Sequence, residues 1–468
     1  MTETIATTTK EKKRRTTSST SSRRKTASSA TTSSSHTKKT ETAKSESSKS
    51  TRTEIELYCA RTDLETALTY VKRGIPQNPH HPLLNHVSLV ADSKSNTLEL
   101  TTNSLDFGTN TKIKAQVSQA GRLTVSLEVL EKLVKKFPQG RIKLTGIVTE
   151  VTKEKDVDWQ GDSCQLILAP DDEDAQFELE ACLSNEFPAL PKVTSRLLTI
   201  PASILLKQIS SALISVASKQ DNKMLTGVRF KFTVDAKKLA RIDTISTDSS
   251  RLTFTTSLQP INKVKLSTDA SFTLSAKVLR ELKNSLTATS GDQQIRVYYD
   301  VLKSSKASKE TNAAVMFAWD DKRIVALVMQ GDYPDLSAVR ELVNKNDKIA
   351  VFNRLTLLQS LQRLAVLSEG KNKILHISLA DERATFKVQR SGIGKGQESH
   401  SLVMSGEAVS IHFNINNLID IVSTIESDDV CFKLLDSHSP CLIEGYGTYD
   451  SSTIPVKVEH IIAPLLVE

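Results

Sequence analysis

The stretch Ser271-Phe-Thr-Leu-Ser-Ala-Lys-Val-Leu-Arg-Glu-Leu-Lys283 opens as a short alternating strand and continues as a helix. Ser275 stands where an N-cap belongs, since its hydroxyl can accept from an amide that the first helical turn leaves unpaired. Leu279 and Leu282 then fall on one helical face. The pattern occurs twice more, in Gly121-Arg-Leu-Thr-Val-Ser-Leu-Glu-Val-Leu-Glu-Lys-Leu133 and in Ser410-Ile-His-Phe-Asn-Ile-Asn-Asn-Leu-Ile-Asp-Ile421. The cap positions are Ser126, Ser275 and Asn414, and the apolar anchors are Leu130/Leu133, Leu279/Leu282 and Leu418/Ile421. The caps lie 149 and 139 residues apart. Solenoid repeats run about 20–50 residues, so a period this long predicts a repeated domain.

The 468 residues accommodate three domains of about 150 each. No apolar run reaches membrane-spanning length, and no secretory h-region follows Met1, so the expected compartment is cytoplasmic. The five cysteines (Cys59, Cys164, Cys182, Cys431 and Cys441) are odd in number and form no CxxC pair, which predicts reduced and mostly buried thiols. The net charge of +8 is unevenly placed. Residues 1–53 hold thirteen Lys and Arg against four Glu, a surplus of nine, so the rest of the chain is close to neutral at −1.

Residues 1–53 are Ser, Thr, Lys and Arg with almost no large apolar side chains. Such a segment cannot bury enough apolar surface to offset its chain entropy and is expected to be disordered. It suits a basic arm for nucleic acid, a solubilising tail or a transit peptide. Three domains follow, at 54–194, 195–346 and 347–468. Each reads as a helix, alternating strands, the strand–cap–helix unit and further strands. The first helices carry Leu64, Leu68 and Val71; Leu205, Ile209, Ala212, Leu213 and Val216; and Leu357, Leu358, Leu361 and Leu364. A second marker tracks the period: Phe187-Pro-Ala-Leu190 closes the first domain and Tyr333-Pro-Asp-Leu336 the second, 146 residues later. The fold class is α+β, three tandem copies of two helices packed on antiparallel sheets.

Catalytic signatures are missing. The sequence holds no P-loop, HExxH, GxSxG or zinc-ligand spacing, which argues for a non-enzymatic role without cofactor or metal. Gly392-Ile-Gly-Lys-Gly396 lies between two strands and reads as a hairpin loop, because no helix follows it to cradle a phosphate. Asp248 in Thr247-Asp-Ser-Ser-Arg251 suits a turn. The acidic run Asp171-Asp-Glu-Asp174 and the stretch Thr152–Gly161 read as solvated loops. Cations recur on the helices instead: Lys72 and Arg73; Lys132, Lys135 and Lys136; Lys207; Lys277, Arg280 and Lys283. In a body of charge −1 this recurrence points to a shared basic surface. Without interleaved aromatics that surface suits phosphates and not bases, so binding would be sequence-independent and salt-sensitive. The third unit helix carries Asn417 and Asp420 instead.

Leu83-Leu-Asn-His-Val-Ser-Leu89, Asn185-Glu-Phe-Pro-Ala-Leu190, Leu225-Thr-Gly-Val228, Ser246-Thr-Asp-Ser-Ser-Arg-Leu252, Gly331-Asp-Tyr-Pro-Asp335 and Phe413-Asn-Ile-Asn416 together resemble the bacterial sliding clamp family, the beta subunit of DNA polymerase III. The resemblance covers about residues 55–468. It implies a head-to-tail ring homodimer around duplex DNA that confers processivity on the replicative polymerase. On it, Lys72, Arg73, Lys135, Lys136, Lys277, Arg280 and Lys283 are DNA-facing. It also implies a peptide pocket for the polymerase catalytic subunit, the clamp loader and repair proteins, at Thr247, Leu252, Pro334, Val339, Asn414, Ile461, Ala463, Pro464 and Leu465. Departures from the family pattern are Ser249-Ser250 for Gly-His, Ala338 and Leu466 where basic residues are common, and Ala463 for Met. The alternative reading is a non-enzymatic tandem-repeat binding or adhesion protein.

Overall fold

The computed structural model describes residues 49–151, 163–171, 174–183, 187–218, 222–234, 239–260, 269–302, 312–368, 373–447 and 456–466. Residues 1–48 of the basic tail, the stretch Thr152–Gly161 and the middle of the 171–174 run lie outside them. Residues 48–468 form one compact unit.

In the first domain the chain runs β1 (Lys49–Ala60), α1 (Arg61–Val71), β2 (His86–Asp92), β3 (Thr97–Asn103), β4 (Phe107–Gln119), β5 (Gly121–Ser126), α2 (Leu127–Val134), β6 (Arg141–Val151), β7 (Ser163–Pro170) and β8 (Phe177–Leu183). The second repeats the order with β9 (Arg196–Pro201), α3 (Ala202–Leu213), β10 (Gly227–Val234), β11 (Leu239–Thr247), β12 (Arg251–Pro260), β13 (Ala270–Ser275), α4 (Ala276–Thr287), β14 (Gln294–Val301), β15 (Ala313–Trp319) and β16 (Lys322–Leu327), then a short α5 (Ser337–Val343). The third has β17 (Lys348–Asn353), α6 (Arg354–Ala365), β18 (Ile374–Ala380), β19 (Arg383–Arg390), β20 (Gly394–Ser401), a three-residue β21 (Val403–Ser405), β22 (Val409–Asn414), α7 (Ile415–Thr424), β23 (Asp429–Leu434), β24 (Cys441–Tyr446) and β25 (Val456–Ile462).

Each domain therefore has a leading sheet, ordered β5-β2-β3-β4, β13-β10-β11-β12 and β22-β18-β19-β20, and a trailing sheet, β1-β6-β7-β8, β9-β14-β15-β16 and β17-β23-β24-β25. The described ladders are antiparallel, and two helices per domain pack on them, as the alternating pattern predicts. The apolar anchors are inside: Leu130, Leu279, Leu282, Leu418 and Ile421 are fully buried, and Leu133 is half-buried against the same core. At about 25 cal/mol per Å² of apolar surface, a buried Leu is worth roughly 1.5–3 kcal/mol, so these pairs hold each unit helix on its sheet. Ser275 Oγ accepts from the Val278 amide, and Asn414 Oδ1 accepts from the amides of Asn416 and Asn417. Ser126 occupies its cap position without making the side-chain bond.

One boundary is corrected. Residues 49–53, assigned to the tail on composition, extend β1 and pair with β6 from Lys49↔Val151 to Thr53↔Ile147. A ladder is made by backbone amides and carbonyls, so a strand extension needs no apolar side chains and composition does not reveal it.

The domains are joined by sheet continuation. β4 pairs with β16 (Phe107–Thr111 against Lys322–Ala326), and β12 pairs with β25 (Arg251–Ser257 against Val456–Ile462). At the first joint the Tyr70 hydroxyl donates to the Arg323 carbonyl at 3.0 Å, and its ring meets Trp319 edge-on with centroids 6.1 Å apart. At the second, His460 is wholly buried, with Nδ1 2.9 Å from Thr253 Oγ1 and Nε2 2.9 Å from Thr424 Oγ1. Burial, helped by the charges of Lys207 and Arg251, lowers its pKa from 6.5 to about 3. The folded chain thus refuses a proton that the unfolded chain accepts. This contribution to stability is full above pH 6.5 and is lost as pH falls towards about 3, at about 1.4 kcal/mol per pH unit. His460→Leu should flatten that slope in urea unfolding between pH 6.5 and 4; an unchanged slope would refute the assignment.

Candidate functional site

The first candidate feature is the set of helical cations. Lys72 Nζ lies 2.7 Å from Glu131 Oε2, and Lys135 Nζ lies 2.6 Å from Glu131 Oε1. Glu131 is only 4% exposed. Burial works to raise its pKa, and the hydrogen bonds from Lys135 and Lys72 outweigh this and hold it below 4.5. These two lysines therefore neutralise a buried carboxylate, and their net contribution to a basic surface is reduced. Arg73 reaches across the first joint to Glu281 of α4 at 3.8 Å, and Lys277 lies 3.6 Å from Asp106. Among the described residues Lys136, Arg280 and Lys283 have no ion-pair partner; Lys136 and Arg280 are exposed and Lys283 is half-exposed. Lys207 is taken up by Glu426 and the Thr424 carbonyl, and Asp420 of α7 by Arg251 at 2.8 Å. The seven predicted positions thus divide into three uncommitted cations and four engaged ones. Helical spacing brings Lys135 within reach of Glu131, four residues before it, but it could not show that Lys72, 59 residues away, joins them or that Glu131 is buried.

The second feature is a groove of about 410 Å³ at the second joint. Of the nine predicted peptide positions, Thr247, Leu252, Pro334, Val339, Ile461 and Ala463 line it. Leu252 is 5% exposed and sits opposite Ile461 across the β12–β25 ladder, in a small core with Phe254, Val343 and Leu442. The other three lie outside the lining. Asn414 is spent on capping α7, and the Leu465 amide donates to the His412 carbonyl at 2.8 Å, which ties the 463–466 segment, Pro464 included, to β22. Asn222, Leu225, Ser249, Ser250, Arg251, Leu336 and Pro440 complete the wall. Leu336 belongs to the repeated closing marker and Leu225 to a stretch that carries the family resemblance, so their apolar side chains beside turns were the available signal.

The turn beside the groove is held as the sequence predicts: Asp248 Oδ1 accepts from the amides of Ser250 and Arg251. Ser249 has φ +72, in the left-handed region that favours glycine, so the Ser holds a strained backbone there. Tyr333 of the second closing marker is buried, and its hydroxyl accepts from the Thr247 amide at 3.1 Å. The first marker acts differently. Gly108 occupies in β4 the register place that Leu252 occupies in β12, and Leu190 fills the space a side chain there would need. The cavity at the first joint, about 490 Å³, mixes the charged and polar Glu99, Asn110, Arg122 and Arg323 with apolar residues that include Phe187, Leu190, Met316 and Val325. An apolar groove thus forms at the second joint because Leu252, Ile461 and Val339 converge there, and the first joint lacks that trio. Its chemistry suits short peptides that bury Leu or Phe side chains.

Among the described residues no three His, Cys, Asp or Glu side chains come together as a metal site, and no helix is long and apolar enough to cross a membrane. The five cysteines are free thiols, four of them buried and Cys182 exposed.

Family models match the chain in series. The N-terminal domain of the DNA polymerase III beta subunit matches residues 55–191, its central domain 199–335 and its C-terminal domain 341–458. The beta sliding clamp of Synechococcus elongatus is 27% identical over 417 residues, spanning 88% of this chain and 99% of that protein. The DNA polymerase sliding clamp of Bacillus subtilis superposes with a TM-score of 0.74 at 18% identity, covering 89% of this chain and 100% of that one. A sliding clamp of Pseudomonas aeruginosa solved bound to griselimycin gives a TM-score of 0.71 at 18% identity, covering 88% and 100%. With all three of its domains matched in order, the chain belongs to the family of the DNA polymerase III beta subunit, the beta sliding clamps.

Proposed function

We propose that two copies of this chain close head to tail into a ring around duplex DNA and tether the replicative polymerase to it. The observation that carries the reading is the thrice-repeated scaffold, which bears Arg280 and Lys283 on its second unit helix and Lys136 just past the end of its first, on a body otherwise near neutral. A closed ring retains DNA by topology, so it needs only diffuse phosphate contacts, which let it slide. In this role the chain is an accessory subunit: it holds the polymerase near its template and leaves the chemistry to its partner. The groove at the second joint takes the apolar motifs of the polymerase catalytic subunit, the loader and repair proteins, one at a time, and the expected place of action is the nucleoid in the cytoplasm.

The test is retention on DNA. Loaded onto nicked circular plasmid, the protein should stay bound through gel filtration in about 0.2 M salt, and cutting the plasmid once should release it. Equal retention on circular and linear DNA would replace topological with ordinary binding and sink the reading.

A further inference from the structure

The two internal joints are built to one register and roofed differently. The turns β3–β4 and β11–β12 match residue for residue, with Leu105 (φ +73) at the place of Ser249 (φ +72). The pair Asn103↔Gly108 therefore matches Thr247↔Leu252. Followed along the ladders, Asn110, Met316, Arg323 and Val325 hold the places of Phe254, Leu442, Glu459 and Ile461.

At the second joint α5 lies over this surface. Val343 and Val339 pack on Phe254, Leu442 and Ile461. Between them Arg340 pairs with Glu459 at 2.5 Å, and its guanidinium stands 5.1 Å from the centre of the Phe254 ring. At the first joint residues 187–195 lead to β9 without forming a helix, with Leu190 and Val193 beside Val325 and Met316. The cavity of about 490 Å³ opens there, and Asn110, Met316, Arg323 and Val325 all line it.

The charge is inverted as well. Where Glu459 meets Arg340, the first joint presents Arg323. Arg122, opposite Val90 in the β2–β5 ladder, and Lys192 share the lining. All three cations are exposed, and among the described residues none has an ion-pair partner. The one carboxylate in the lining, Glu99, is committed: it pairs with Lys112 at 3.0 Å and accepts from Asn110 Nδ2 at 2.6 Å.

We infer that the first joint docks a short acidic amphipathic helix of a partner protein, seated as α5 is seated at the second. Its apolar residues, spaced four apart like Val339 and Val343, rest on Val90, Met316 and Val325. An acid at the place of Arg340 meets Arg323. The three uncompensated cations select the sign, because a basic helix is repelled. The groove lies at the other joint, so a partner docked here leaves it open to peptides.

Fluorescence anisotropy on the full chain tests the assignment. The probe is a labelled peptide of residues 334–345, the α5 segment, carrying Arg340→Glu. It should bind the wild type about tenfold more tightly than the unaltered α5 peptide does, since an ion pair replaces a like-charge contact. Arg323→Glu changes an exposed side chain and should invert that preference, which simple misfolding would not do. A Leu/Phe-type peptide filling the second-joint groove should leave the probe bound. Failure of both peptides to bind, a preference that Arg323→Glu leaves unchanged, or displacement of the probe by the groove peptide would overturn the inference. Probe released as the chain is concentrated would make a second copy the occupant and overturn it too.

Discussion

A Leu252→Asp chain should lose capture of Leu/Phe-type peptides by at least about 100-fold in titration calorimetry and should loosen its second joint at the same time. Leu252 is a lining residue and also the centre of the small core made with Phe254, Val343, Leu442 and Ile461. Removing the Leu side chain costs about 2–5 kcal/mol, and a carboxylate placed there without a partner adds to it. The joint's loosening should be visible as faster amide exchange along Val456–Ile462, the strand that Leu252's neighbours hold. Val339→Asp separates the two effects. Val339 is half-buried on α5 at the edge of that core and contributes no ladder bond, so peptide affinity should fall by a similar factor while exchange in β25 rises much less than in Leu252→Asp. Undiminished peptide affinity in both variants would remove the groove from function.

Reversing Lys136, Arg280 and Lys283 to Glu should weaken sequence-independent DNA binding by on the order of 10³ in about 0.1 M salt. It should also flatten the dependence of log K on log salt, by about 0.9 for each phosphate that is no longer neutralised. These residues are chosen because the fold leaves them uncommitted. Charge reversal at Lys72 or Lys135 would take away one of Glu131's two cations and set a second carboxylate beside it, so weakened binding there would also report a disturbed fold. The measurement is DNA affinity across a salt series, with urea unfolding alongside. An unchanged salt slope with an intact fold would take these helices out of the DNA interface.

Much of the architecture was legible because it is local. An N-cap acts over three residues and strand alternation over two, so Ser275, Asn414 and the anchors Leu279/Leu282 and Leu418/Ile421 announce themselves in any order of domains. Repetition then multiplied a weak local signal by three. The first strand was less legible for the same reason: Lys49–Thr53 has no apolar face to display and is held by ladder bonds to a strand about 100 residues away. The groove was legible in part. Leu252, Val339, Pro334 and Ile461 are apolar residues at turns and strand ends, whereas Asn414 spends its side chain on the cap of α7 and Leu465 is held beside β22 by its backbone amide, outside the groove lining.

The linear order of residues therefore settles the number of domains, their α+β class and the face that each helix buries, because those depend on periodicities a few residues long. It does not settle which cations are available, where the joints run or which edges stay open. Those turn on partners far apart in the chain: Lys72 with Glu131, Arg251 with Asp420 and Ile462, Leu252 with Ile461. A charge is spent or unspent, and a strand edge is paired or bare, only once the chain has folded and brought its distant neighbour within reach of a hydrogen bond.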